Sequence, residues 1–186
     1  MNEVELIRAQ LSLERQHATA VSHALSAAAT RAGHSLTSLD AFREASVEYL
    51  VWTLSRFEER EQMLHDLVRT RLSAASADRR RAEEVFALPG TSREALARLE
   101  AALRDGSEAR PGPASPLWAE FLQFFEGAWR ARRDALDTLF AQHARITDWR
   151  AMAAIDADSI FEERNRYSRV RATLPAGIEL SANASV

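Results

Sequence analysis

Glycine and proline are few in this chain, and where they fall constrains the fold more than any other feature. Of six glycines and five prolines, Pro89, Gly90, Gly106, Pro111, Gly112, Pro113 and Pro116 all lie between residues 89 and 116. The long stretches on either side are almost free of both, and only a helix tolerates such runs without a punctuating turn. A first helix is predicted from about Asn2 to Arg31, with Gly33 placed to end it. A second starts among the N-cap residues Thr37–Asp40 and runs to about Ala74. A third opens at SPLWAE, with Ser115 as N-cap and Pro116 in the first helical position, and reaches His143. A fourth begins after Thr147 or Asp148 and stops before Pro175.

Counting at 100° per residue places an apolar stripe on each helix. The stripes are Ile7, Leu11, Ala18, Val21, Leu25 and Ala28; Val47, Leu50, Leu54, Phe57, Leu64, Val68 and Leu72; Trp118, Phe121, Phe125, Trp129, Leu136 and Leu139; and Trp149, Met152, Ile160, Tyr167, Val170 and Leu174. The expectation is an all-α protein, an antiparallel four-helix bundle over residues 1–174 with a helix-containing insertion at about 75–115 and a C-terminal tail at 175–186. The insertion helix is TSREALARLEAALRDG, with a Thr91–Glu94 capping box and a stop at Gly106. RRRAEE reads as low complexity, and SANASV as a disordered end.

Bulk chemistry removes several classes of function. The net charge of -3 disfavours a general nucleic-acid binder. The absence of cysteine excludes disulfide scaffolds, thiolate metal sites and Cys nucleophiles. All 24 basic residues are arginine, so Schiff-base lysines and Walker-type lysines are absent. MNEVELIRAQ has no signal-peptide apolar region, and no apolar run approaches a membrane span. A soluble cytoplasmic protein is expected. Neither a nucleophile turn nor a phosphate loop appears, so the sequence leaves open whether the chain is an enzyme.

Each stripe is interrupted by charge. Glu14 is central on the first helix, with Gln10 and His17 at its edge; Glu61 is central on the second, with Glu58 and His65 beside it. Arg132 and His143 interrupt the third, and Asp156 and Glu163 the fourth. Counting from the shared ends sets Glu14, His17, Glu58 and Glu61 at one level. An up-down-up-down topology adds Glu163 at the level of His17. Ionised groups in a seam need partners or a metal. ERQH, Glu14 to His17, is an E-x-x-H, the spacing by which di-iron and di-manganese bundles present a carboxylate and an imidazole together. Glu14, His17, Glu58, Glu61 and Glu163 are therefore candidate ligands for Fe or Mn. The alternative is a metal-free polar network in a bundle that serves as an interaction or oligomerisation module. A small-molecule pocket between the helices is also compatible with the many aromatics.

The remaining polar residues have simpler readings. Arg132 and Asp156 are expected to form a structural ion pair. His23 and His34 are expected to be solvated, His65 to be a satisfied edge histidine, and His143 to complement a helix C-terminus. Tyr49, Trp52 and Met63, with Leu67, fall outside the stripe of the second helix. They predict either cover by the insertion or a homodimer through that face.

EEREQMLHDLV, Glu58 to Val68, resembles the second-helix segment of hemerythrin-like (HHE) domains, and His17 and Trp149 also sit where that family has a ligand histidine and a tryptophan. The resemblance implies a non-haem di-iron bundle that handles oxygen, nitric oxide or iron, with His17, Glu61 and Asp158 as ligands that carry over. Phe57 and Ala153 occupy positions where the family has histidine. A carboxylate-rich, ferritin-like set therefore matches the angular argument better than a histidine-rich one.

Overall fold

A computed structural model describes residues 2–30, 36–87, 97–98, 101, 120, 123–155 and 158–181, and among them there are helices and no strand. The helices are α1 (Glu3–Thr30), α2 (Leu36–Arg71), α3 (Ala77–Ala87), α4 (Arg130–His143), α5 (Ile146–Ile155) and α6 (Ser159–Ala172). A π-helical segment, Phe124–Trp129, leads directly into α4. The all-α expectation and the bounds of the first two helices hold, although α2 ends three residues early. Three features differ. The expected fourth helix is two, α5 and α6. The charged run read as low complexity is part of α3, whose Ala82 is buried against Leu139 and Leu72. The third helix is π-helical over FFEGAW, a widened turn that shifts the phase of the residues following it. The insertion helix lies mostly outside the described residues, of which 97, 98 and 101 are helical.

The main core lies where α1, α2 and α6 pack together. Ala18, Val21, Ala24, Leu25 and Ala28 of α1 face Phe42, Tyr49, Leu50, Leu54 and Phe57 of α2, joined by Phe125 and Val170. The small side chains of α1 let the two helices approach closely, and the large ones come from α2. A second cluster closes the other end, where Phe140 and Trp149 pack edge to face at 4.4 Å and receive Val4, Ile7, Leu11 and Met63. Residues 175–180, expected as tail, belong to the fold. Ile178 is buried in the main core, and Gly177, at φ 77, makes the turn that returns it there. SANASV lies almost wholly outside the described residues.

Ion pairs between the helices fix their directions. Glu14 meets Arg60 and residues 31–35 join the far ends, so α1 and α2 are antiparallel. Arg71, the last residue of α2, binds Asp148 in the first turn of α5, and Glu3 binds Arg150. Further along, His17 meets Glu163, so α5 and α6 run parallel to α1. Arg132 pairs with Glu61 and His143 with Asp78 beyond the end of α2, so α4 runs parallel to α2. This overturns the up-down-up-down assumption. The order is up-down-down-up, and the connection from α2 to α4 is a crossover whose first part is α3.

Two charged residues tie the ends. Asp148 accepts hydrogen bonds from the two terminal guanidinium nitrogens of Arg71 and, at 2.6 Å, from the backbone N–H of Arg145, so it caps α5 and clamps it to α2. Burial pushes its carboxyl up, but the Arg71 hydrogen bonds, the Arg145 N–H and the nearby positive charge outweigh that and hold it below the usual range. Arg79 of α3 donates to the Arg69 and Leu72 carbonyls at the end of α2, satisfying groups a helix terminus leaves open. No helix among the described residues is long and apolar enough to cross a membrane.

Candidate functional site

The polar residues of the seam sit midway along α1. Glu14 projects from the buried face of α1, and Arg60, one turn beyond Phe57 on α2, enters the same interface. The Arg60 guanidinium donates to Glu14 Oε2 at 2.6 Å and more weakly to Oε1 at 3.4 Å. Both residues are almost fully buried, at 1% and 6% exposure. Gln10, one turn back on α1, donates to the same carboxylate at 3.5 Å. Arg60 also lies over the Phe57 ring at 5.5 Å, where the π face favours a cation. A desolvated, charge-assisted pair of this kind is stable only while both partners remain.

One turn further along α1, His17 Nδ1 lies 2.8 Å from Glu163 Oε1 of α6. The Tyr49 hydroxyl of α2 donates to the same oxygen at 2.8 Å. Glu163 and Tyr49 are fully buried, and Tyr167, one turn along α6, stacks on the His17 ring at 3.7 Å with 7° between the planes. Burial and the adjoining Glu163 carboxylate drive the Tyr49 phenol far above its ordinary range, so it remains a donor. Glu163 thus joins α1, α2 and α6 at one atom.

A third pairing leads toward α4. Glu61 forms an ion pair with Arg132 at 3.2 Å, and Arg15 makes a two-pronged pair with Asp137 nearby. Burial pushes the Glu61 carboxyl up to about 7; Arg132 opposes the rise and Glu58 adds to it. The attraction of Arg132 therefore does not offset the loss of solvent.

The five candidate ligands are thus distributed among separate partners. Glu14 is held by Arg60, Glu61 by Arg132, and His17 and Glu163 by each other, while Glu58 is half-buried beside Glu61. The level assigned to His17 and Glu163 is correct, although α6 arrives from the opposite direction. A dinuclear centre needs several carboxylates and imidazoles converging on one point. Among the described residues, no three His, Asp or Glu side chains are placed to hold an ion. Guanidinium groups already engage two of the candidate carboxylates, Glu14 and Glu61. Asp158, the further ligand implied by the hemerythrin-like resemblance, is exposed immediately before α6.

Other expectations are corrected here. Tyr49 is wholly internal, Met63 packs on the Phe140–Trp149 cluster, and Trp52 is half-buried with Arg56 and Arg166 over its ring at 5.0 and 5.4 Å. These residues do not form an outer face. Arg132 pairs with Glu61, and Asp156 lies outside the described residues, as does His34. His23 is half-buried with its Nδ1 shielded from solvent, not solvated. His143 is the last residue of α4, as expected, and there it also lies 3.1 Å from Asp78. Sequence reasoning missed Arg60 and Tyr49, though the spacing Tyr49, Thr53, Phe57, Arg60 places them on one face of α2.

No family model, curated protein or solved structure matched the chain.

Proposed function

We propose that the chain is a metal-free helical bundle that serves as an interaction or oligomerisation module. Its architecture in this reading is a four-helix bundle formed by α1, α2, α4 with its π-helical lead, and α5–α6, with the insertion between the second and third. The single long crossover is the kind of connection that ferritin-like bundles use. The observation that carries the proposal is the buried Glu14–Arg60 pair: at the centre of the expected metal site the carboxylate already has a built-in cation. The other seam charges pair across helices in the same way, so they fix the packing without leaving a converging donor set.

The assembly half of the reading draws on the surface. Leu6, Leu13, Ile146 and Phe161 are large apolar residues left exposed, Phe161 at 72%. With Tyr49 internal, these residues are the large exposed apolar side chains that the described part of the chain offers for self-association, in place of the Tyr49–Trp52–Met63 row. Two measurements test the proposal. Protein from cells grown with added iron and manganese should carry well under one equivalent of either metal, unchanged by Glu14→Gln. A stoichiometric metal lost on that substitution would restore the di-metal reading. Light scattering should give a mass that rises above 20.8 kDa with concentration. A monomer at every concentration would remove self-association.

A further inference from the structure

We draw no further inference here: the strongest candidate, the exposed face of α6 that carries Phe161 and Arg164, is an unpartnered surface patch, and nothing in the structure shows what covers it.

Discussion

Two acids in the seam each have an arginine partner on a neighbouring helix. Glu14 has a guanidinium at 2.6 Å and Glu61 one at 3.2 Å, and burial pushes the Glu61 carboxyl up to about 7. The linkage sign for Glu61 follows from its raised folded value against an ordinary 4.5. Between those two values the folded chain binds the extra proton. The associated stability is present below pH 4.5 and is lost as pH rises through 7, a change on the order of 3 kcal/mol. Glu61→Gln should flatten that part of the profile in urea melts taken at pH 5 and pH 8. An unchanged difference between the two would mean that Glu61 titrates as a solvated acid. The Tyr49 hydroxyl offers a second test. Tyr49→Phe removes one of the two groups bound to Glu163 Oε1 and should cost roughly 1.5–3 kcal/mol, the range for a hydrogen bond to a charged group. No loss of stability would show that the His17 contact alone satisfies Glu163.

Among the elements, α2 explains both the success and the error of the sequence reading. Its length and ends follow from N-cap residues and the absence of Gly and Pro. Its buried arc does not follow from one stripe, because α1, α3, α4 and α6 all pack on it. A residue 120° or more from the stripe centre, such as Tyr49, is then buried against a second neighbour. Arg60 escaped notice for a related reason: an arginine in EERE reads as solvated until an acid is known to face it. The level shared by His17 and Glu163 was legible only because His17 lies near the middle of α1, so that counting from either end gives nearly the same height. Chain direction was not, since a connection of this length permits either a hairpin or a crossover. Direction can be tested chemically. The chain has no cysteine, so Glu3→Cys with Arg150→Cys gives a single addressable pair. A short bismaleimide should link them efficiently within one chain. An up-down-up-down arrangement would keep residues 3 and 150 at opposite ends, and no intramolecular link would form.

Across the whole molecule the seam acids are held by side chains of neighbouring helices, Glu14 and Glu61 by arginines and Glu163 by His17 and Tyr49, and in the proposed reading they serve packing. Buried pairs of this kind are weak sources of net stability but costly to break by halves. That asymmetry separates the account from one in which Glu14 waits for a metal. The most direct measurement is a double-mutant cycle on Glu14 and Arg60, read by equilibrium unfolding at neutral pH. Glu14→Leu alone should cost about 3–5 kcal/mol, because Arg60 remains buried without its partner. Glu14→Leu combined with Arg60→Leu should recover most of that loss, giving a coupling of at least about 2 kcal/mol. Additive losses with no coupling would contradict the central claim, since Glu14 would then owe its burial to something other than Arg60.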